Sequence, residues 1–338
     1  MNGRNENDVQ TIRWGIIGAG NVAEFKSGPA LMQALGSTVV VVMRRDAEKA
    51  RDFALRHNIP RWCTDIDALL ADPEVDAVYV ASPHHLHLAH VTRAAQAGKA
   101  ILCEKPIGVS TAEAQAAVDV CRAAAVSLSV AYYRRYWPIV QEMRHLLADG
   151  AIGEVVQARV QLADYFQPDP DRAWLTEPEQ AGGGALANAG SHWVDLIRYL
   201  LGEVIEVTAG WSAHFGGLKT EDTIGVQMRL ASQVLVSLNV TLCSRAAVNE
   251  FDIAGTDGRL FAGPLSDGRL TLQRGSREPE VMYYPRAGAA HTELVAEIVR
   301  RLSAGEPSPV PGEEAVAAWQ IMAAAYLACG ERRHVRIA

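Results

Sequence analysis

The chain has 338 residues, a formal net charge of −7 and apolar side chains at 49% of its positions. This length and composition are typical of a globular protein with about two domains. The negative charge and the lack of a Lys/Arg-rich block argue against a nucleic-acid partner. Because no apolar run reaches the roughly 18 residues that span a bilayer, we expect no membrane partner. Residues 1–10 are polar, so we predict a disordered tail rather than a secretory signal.

The first predicted strand, Ile12–Ile17, leads directly into a glycine-rich turn. The turn reads Gly18-Ala19-Gly20-Asn21-Val22-Ala23, which fits the pattern G-x-G-x-x-A. In a dinucleotide-binding fold the first glycine permits the tight turn, and the second lets the backbone approach a pyrophosphate. The pattern is informative here because a strand precedes it and a helical sequence follows. We therefore predict four cofactor-binding residues in this turn, which are Gly18, Gly20, Asn21 and Val22.

The second predicted strand, residues 38–43, ends at Arg44 and Arg45. An NAD-specific site places an acidic residue at this point, where it accepts a hydrogen bond from the ribose 2′-hydroxyl. Two guanidinium groups suit the 2′-phosphate of NADP instead. We predict that both arginines bind the cofactor and that NADP is preferred to NAD. Two alternatives stay open, because Asp46 follows directly and allows NAD, and because arginines are often simply solvated.

Strand-like and helix-like stretches continue to alternate as far as Ala131. Further apolar runs predict strands over residues 75–81, 100–103 and 126–131. Helices begin at Ser82-Pro83 and at the capping box of Ser110 and Glu113. The alternation predicts a doubly wound parallel sheet, the Rossmann arrangement of an α/β protein. We assign residues 11–131 to an NAD(P)-binding domain and residues 132–338 to a second domain.

A histidine-rich stretch follows the strand over residues 75–81. It reads Ser82-Pro83-His84-His85-x-His87-x-x-His90. Clustered imidazoles can bind zinc, but no acidic or cysteine ligand accompanies them, and we predict no metal. The stretch lies at the carboxyl edge of the parallel sheet, where a dinucleotide binds. We expect Ser82, Pro83, His84 and His87 to contact the cofactor, with a structural role at the helix start as the alternative.

The tripeptide Glu104-Lys105-Pro106 directly follows the apolar run Ala100–Cys103. The free-energy cost of burying a charge beside a strand must be compensated, so a charged pair at this point suggests a functional role. A lysine at the end of a strand beside nicotinamide can hold a substrate hydroxyl or carbonyl. We predict Lys105 as a catalytic and cofactor-edge residue and Glu104 as a cofactor-edge residue. A surface salt bridge at the strand exit is the alternative.

The second half of the chain carries a different set of candidates. Residues 132–137 are dense in aromatic and basic side chains, and Trp174 lies in a polar, proline-rich stretch predicted as a loop. We expect the substrate pocket to be lined by Tyr132, Arg134, Arg135 and Trp174, although a patch at a domain interface would have the same composition.

Three glycines, residues 182–184, precede Asn188, His192 and Asp195. Their i, i+4, i+7 spacing predicts one shared helix face. A histidine facing a pocket is the usual general acid or base near neutral pH, so we predict His192 as catalytic and substrate-binding. A structural histidine is the alternative. Residues 203–273 alternate between apolar and polar side chains and predict an antiparallel sheet with one half-polar face, followed by helices near residues 291–303 and 313–329.

The five cysteines, Cys63, Cys103, Cys121, Cys243 and Cys329, are scattered and never form a C-x-x-C pair. This pattern predicts reduced thiols in a cytoplasmic protein.

Taken in order, these motifs resemble the glucose–fructose oxidoreductase, inositol dehydrogenase and rhizopine-catabolism (Gfo/Idh/MocA) family. The resemblance implies an NAD(P)-dependent oxidoreductase that acts on a sugar, inositol, polyol or keto-sugar. It also implies that residues 132–338 form a substrate-binding and oligomerisation domain of the α/β class with a large, mostly antiparallel open sheet. A homodimer or homotetramer would form through that sheet. Lys105 looks like the lysine of the family, and His192 looks like its proton-transferring histidine.

The chain departs from the family pattern at two positions. Asn188 occupies a position where sugar dehydrogenases of this group commonly have Asp, and an amide can hydrogen-bond a hydroxyl but cannot take its proton. Trp174 resembles a pocket tryptophan of the family, but Leu175 replaces the arginine that often follows it. A non-catalytic sensor of NAD(P) or sugar and a redox-assisted glycoside-cleaving enzyme are the alternative functions. We keep Asn188 as a catalytic and substrate-binding candidate.

Overall fold

The computed structural model describes residues 11–337, which form two compact units; the predicted tail, residues 1–10, lies outside this range. The first unit comprises residues 11–108, Ala112–Tyr133 and Ala287–Ala315. The second comprises Val109–Thr111, Arg134–Arg286 and residues 316–337. The first unit thus gains a late segment of the chain that a linear division at residue 131 does not include.

Two sheets account for the strands of the described residues. The strands are β1 (Ile12–Ile17), β2 (Ser37–Met43), β3 (Arg61–Cys63), β4 (Ala77–Val80), β5 (Ala100–Cys103), β6 (Leu128–Val130), β7 (Val155–Tyr165), β8 (Val204–Ala213), β9 (Thr223–Leu230), β10 (Leu235–Thr241), β11 (Cys243–Gly255), β12 (Gly258–Ala262), β13 (Arg269–Arg274), β14 (Glu280–Tyr283) and β15 (Val335–Arg336).

The α-helices are α1 (Gly28–Gln33), α2 (Ala47–Arg56), α3 (Ile66–Leu70), α4 (His87–Gln96), α5 (Thr111–Ala123), α6 (Pro138–Ala148), α7 (Pro178–Ala181), α8 (Ser191–Leu201), α9 (Thr292–Ala304) and α10 (Gly312–Glu331). Wider, π-helical turns at Ala23–Ser27 and Leu186–Gly190 lead into α1 and α8, and short 3-10 segments include His84–Leu86 and Pro170–Thr176. No helix in the described part of the chain is long and apolar enough to cross a bilayer.

The sheet of the first unit has the strand order β3-β2-β1-β4-β5-β6, and every neighbouring pair within residues 11–337 is parallel. All four residues of β4 are buried, as expected for a strand that is covered on both faces. The order reverses beside β1, between β1 and β4, and ligands of open α/β sheets bind at such a switch point. Gly18, Arg44, Ser82 and Glu104 follow four of these strands, so they lie along one edge of the sheet.

The sheet of the second unit has the order β14-β13-β12-β11-β7-β10-β9-β8-β15 within the described residues. β7 and β10 run parallel, whereas β10 pairs antiparallel with β9 and β7 pairs antiparallel with β11. β9 and β10 alternate between buried and partly exposed residues, so the core packs against one face. The opposite face is largely polar but exposes four larger apolar side chains, which are Trp211, Leu235, Val281 and Tyr283.

Candidate active site

The glycine-rich turn has the backbone geometry that a bound dinucleotide requires. Gly18 has a φ of +95°, and a Cβ added there would lie 2.8 Å from the backbone nitrogen of Ser82. A Cβ added to Gly20 would meet no atom within 4 Å, so space is open above this residue. Asn21, which is exposed, and Val22 begin the helix that follows. The turn therefore fits a pyrophosphate approaching backbone amides at the start of a helix.

The residues after β2 are two arginines followed by an aspartate. Nη1 of Arg44 donates to the carbonyl of Ala19 at 2.7 Å, which ties this half-buried side chain to the glycine-rich turn. Arg45 is exposed. The carboxylate of Asp46 accepts from the amide of Lys49 at 3.1 Å and caps α2. Because Asp46 serves as a helix cap, the side chains open to a ribose here are cationic.

The histidine stretch forms a packed connection between strand ends. His87 is fully buried, with Nε2 2.7 Å from the carbonyl of Ser82 and Nδ1 2.9 Å from the carbonyl of Pro106. Burial lowers the pKa of His87, although the two carbonyls oppose this shift. The expected contact of His87 with a cofactor finds no support here, because its ring nitrogens face these carbonyls and none of its surface is exposed. His87 instead joins the loop after β4 to the loop after β5.

The other residues of this stretch differ in how accessible they are. His84 is 6% exposed and its ring lies 5.6 Å from that of His87. Oγ of Ser82 lies 2.9 Å from Nδ1 of His90, and burial lowers the pKa of His90 to about 4. Pro83 is half-buried.

The described residues hold no metal-binding cluster, because no group of three His, Cys, Asp or Glu side chains is placed to hold a metal ion. All five cysteines are free thiols.

Glu104 lies at the centre of a buried hydrogen-bond network. Oε1 accepts from the Tyr79 hydroxyl at 2.6 Å and from Nε2 of His291 at 2.9 Å, while Oε2 accepts from the Lys105 amide at 3.3 Å. Burial pushes the pKa of Glu104 upward, but the hydrogen bond and charge of His291, the Tyr79 hydroxyl and the charge of Lys105 outweigh it and hold that pKa at about 2. Glu104 is therefore ionised, with Lys105 half-buried beside it.

A second buried carboxylate, Glu221, organises the start of the helix that carries His192. It accepts from the amides of Gly184 at 2.7 Å and Leu186 at 3.0 Å, and from the Tyr326 hydroxyl at 3.0 Å. Burial outweighs these hydrogen bonds and raises the pKa of Glu221. The glycine run has a steric cause, since a Cβ on Gly184 would lie 1.8 Å from the Glu221 carbonyl oxygen.

The predicted shared face of Asn188, His192 and Asp195 is modified by the π-helical turn. Asn188 lies in the turn Leu186–Gly190, and His192 lies in α8. A π turn closes over five residues rather than four, so Asn188 is offset from the regular i, i+4 position. His192 is 5% exposed, with Nδ1 buried.

Asp195 is bound by Arg135 rather than presented to a ligand. Arg135 donates from Nε at 2.9 Å and from Nη2 at 2.6 Å to Oδ1 of Asp195, and both side chains are buried. A buried pair of this kind leaves an uncompensated charge when either partner is removed. The expected direct substrate contact of Arg135 therefore finds no support, and the pair fixes the segment after β6 to α8.

Arg134 lies against aromatic rings, whereas Arg135 lies against a carboxylate. Its guanidinium lies 5.0 Å from the centre of the Trp193 ring and 5.5 Å from that of Trp137, a cation–π arrangement. Nε and Nη1 of Arg134 are buried and have no hydrogen-bond partner within the described part of the chain. Among the expected pocket residues, Trp174 is half-buried in its 3-10 segment and Tyr132 has no exposed surface.

The residues that support this site were not predicted from sequence. Tyr79 and His291 hold Glu104 from positions 25 and 187 residues away, and Tyr326 holds Glu221 from 105 residues away. No local motif signals such contacts. One usable signal is the adjacent acidic pair Glu221-Asp222 within the region predicted to form a sheet. Carboxylates buried in a sheet need hydrogen-bond or charge partners, so such a pair indicates a polar network.

Comparison with known proteins identifies both halves of the chain. Residues 12–132 match the model of an oxidoreductase family with an NAD-binding Rossmann fold, and residues 140–261 match the model of the GFO/IDH/MocA C-terminal domain. The 1,5-anhydro-D-fructose reductase of Ensifer adhaerens is 32% identical over 311 residues, which cover 90% of this chain and 92% of that protein.

Two further similarities extend this picture. The oxidoreductase P35 of Formosa agariphila is 38% identical over 203 residues, and the match covers 59% of this chain and 63%, less than two thirds, of that protein. A structure of levoglucosan dehydrogenase in complex with NADH has a TM-score of 0.88 at 22% identity, over 97% of this chain and 100% of that one. These findings confirm the predicted Rossmann sheet, the large mixed sheet and the dinucleotide cofactor class.

Proposed function

Because the chain belongs to the GFO/IDH/MocA family of oxidoreductases, we propose that it transfers a hydride between a nicotinamide cofactor and a sugar, inositol or related polyol, or its keto form. A reductase named for 1,5-anhydro-D-fructose and a dehydrogenase named for levoglucosan are among the proteins it resembles. These names support a carbohydrate substrate without selecting one.

The observation that carries this proposal is the position of Lys105. It lies two residues after the end of β5, on the sheet edge that also holds the glycine-rich turn, and it follows an ionised, buried carboxylate. An ammonium next to a fixed anion is stabilised in its charged form. A cation at this edge can hold the oxygen of a reacting alcohol or carbonyl and stabilise developing negative charge there.

His192 supplies the proton-transfer step. Since Nδ1 of His192 is buried, Nε2 is the ring nitrogen that takes the proton of a secondary hydroxyl during oxidation. A bound nicotinamide supplies the hydride acceptor, or the donor in reduction. In the reductive direction Nε2 returns the proton to the oxygen of the reacting carbon. A positioned acid or base typically contributes a factor of about 10² to 10⁴ to the rate.

The remaining site residues orient the substrate. Asn188 can donate to or accept from a hydroxyl but cannot take its proton, so its role is in orientation. Arg134 and Trp174 are the pocket residues with surface available to a ligand, whereas Tyr132 and Arg135 are buried and act behind them.

We further propose that NADP is preferred to NAD. Arg44 and Arg45 follow β2, and Asp46 is engaged as the cap of α2.

The oligomeric state and the cellular location are also part of the proposal. The exposed apolar side chains of the open sheet face, Trp211 and Tyr283 among them, support a homodimer or homotetramer formed through that face. The free cysteines support a cytoplasmic protein.

One observation favours the sensor alternative, namely that Asn188 cannot relay a proton. Against it, the chain retains both Lys105 and His192, which a regulator without turnover does not need. Redox-assisted glycoside cleavage would use the same residues but give no net reduction of the cofactor, which separates it experimentally from dehydrogenation.

The test is turnover with a panel of aldoses, ketoses, inositols and anhydrosugars in both directions. Lys105→Met and His192→Ala should each lower kcat by about 10²-fold or more, while the Kd for NADPH stays within about threefold of wild type. Lys219→Met and His145→Ala are matched controls, because both side chains are about two-thirds exposed. Near-normal turnover in either site variant contradicts its role, and tight NADPH binding without turnover on any substrate favours the sensor.

A further inference from the structure

His291 is the buried histidine that neither the motifs nor the proposed chemistry uses. It directly precedes α9, has no exposed surface, and belongs to the late segment that joins the first unit. Its Nε2 donates to Oε1 of Glu104 at 2.9 Å, and its ring lies 4.1 Å from that of Tyr133. Its Nδ1 is buried and has no hydrogen-bond partner among the described residues. The ring therefore interacts with Glu104 through a single nitrogen.

Glu104 in turn lies against Lys105. Besides donating its amide to Oε2 at 3.3 Å, Lys105 contributes positive charge that favours the ionised carboxylate. The two donors to Oε1, Tyr79 and His291, come from β4 and from the residue before α9. A buried carboxylate with two side-chain donors has a fixed position and a fixed charge. Lys105 is the next residue in the chain, so fixing Glu104 also restricts where Lys105 can lie.

We propose that His291 is a positioning residue for Lys105, acting through the carboxylate of Glu104, and this proposal rests on the proposed function of Lys105. Without the Nε2–H donor, Glu104 keeps only the Tyr79 hydroxyl on Oε1, and the carboxylate gains freedom to rotate. The ammonium of Lys105 then loses its fixed counter-charge. The effect falls on the reacting oxygen that Lys105 holds rather than on cofactor binding at the glycine-rich turn.

Charge around Glu104 determines how the network responds to pH. The groups that act on it are Tyr79 from β4, Cys103 from β5, Lys105, His87 from α4 and His291. Burial alone would raise the pKa of Glu104, and His291 is the first of the groups that outweigh burial. Removing this donor should raise the pKa of Glu104, so the carboxylate begins to protonate at a higher pH than in wild type.

The experiment compares His291→Phe, which keeps the ring and its packing on Tyr133, with His291→Gln, which keeps an N–H donor. In His291→Phe we expect kcat to fall about tenfold while the Kd for NADPH stays within about threefold. kcat/KM for the carbohydrate substrate should fall by a similar factor. His291→Gln should stay within about threefold of wild type. A control, Ser308→Ala, removes a hydrogen bond to Ser129 elsewhere in the same unit and should leave all three values unchanged.

A second readout does not depend on turnover. Carbon-13 carboxyl NMR of glutamate-labelled protein, with Glu104 assigned through Glu104→Gln, should show Glu104 ionised to lower pH in wild type and His291→Gln than in His291→Phe. Unchanged turnover and an unchanged Glu104 titration in His291→Phe overturn the proposal. Equal losses in His291→Phe and His291→Gln also overturn it, because the hydrogen bond would then be irrelevant. If the Glu104 titration differs between wild type and His291→Phe as predicted, but the wild-type protein turns over no substrate, the result contradicts the proposed function instead.

Discussion

At the scale of single residues, two buried carboxylates hold the groups to which we assign the chemistry. Glu104 lies beside Lys105, and Glu221 binds the backbone at the start of the helix that carries His192. The pKa values of the two carboxyl groups shift in opposite directions. The side-chain donors of Glu104 hold its pKa at about 2, whereas burial raises the pKa of Glu221. Glu104 thus provides charge, and Glu221 provides hydrogen-bond acceptors.

We propose that two arginines with separable roles set the cofactor preference. Arg44 is tied to the Ala19 carbonyl and Arg45 is exposed. Arg45→Ala should lower kcat/KM for NADPH about tenfold or more and leave that for NADH unchanged, because a hydrogen bond to a charged group is worth about 1.5–3 kcal/mol. Arg44→Ala should weaken use of both cofactors, since it also loosens the glycine-rich turn. Steady-state kinetics with both cofactors measures this.

The control for this prediction is Arg51→Ala, which removes another exposed arginine from α2. It should change neither cofactor's kcat/KM. An NADPH-to-NADH ratio that stays the same in Arg44→Ala and Arg45→Ala would remove the argument for a 2′-phosphate.

At the scale of single residues, the site remains a prediction made from local motifs alone. Lys105 was singled out because it follows a buried strand and a glycine-rich turn. His87 and Arg135 were assigned to ligands, yet the structure places His87 against two carbonyls and Arg135 against Asp195. Composition and spacing do not separate a charged or polar residue that meets a ligand from one that meets a distant part of the chain.

At the scale of elements, the glycine run and the π turn define where α8 begins. Gly184 cannot carry a side chain because its Cβ position is occupied by the Glu221 backbone. The sequence predicted a helix with Asn188, His192 and Asp195 on one face. The π turn over Leu186–Gly190 offsets Asn188, and nothing in the local pattern signals such an offset, because it arises from packing.

Gly184→Ala tests this element. The added methyl meets backbone that cannot move aside, so we expect a loss of stability of about 3 kcal/mol or more and a marked loss of turnover. Gly330→Ala is the matched control, because a Cβ there meets no atom within 4 Å and the residue lies in α10. It should leave stability unchanged or raise it by up to about 1 kcal/mol. Urea unfolding of both variants measures the difference, and equal stabilities would contradict the steric argument.

At the scale of the whole molecule, the alternation of strands and helices was sufficient to predict the parallel sheet, and the alternation of apolar and polar residues predicted the mixed sheet. The return of Ala287–Ala315 to the first unit was not predicted. A helical pattern states that a segment is amphipathic but not which surface it packs against. That return brings His291 to Glu104, so one unpredicted residue of the site belongs to the unpredicted part of the fold.

The central claim is that this protein transfers a hydride directly between nicotinamide and a carbohydrate carbon. The most direct measurement uses NADPH carrying deuterium at C4, in each of its two configurations, with a panel of keto-sugars and anhydroketoses, followed by mass spectrometry of the products. We predict one deuterium on carbon in the product from one of the two labelled cofactors, with one NADP formed per product, and a rate of transfer about 10²-fold lower or more in Lys105→Met. Product without deuterium from either cofactor, or transfer at the wild-type rate in Lys105→Met, would contradict the account.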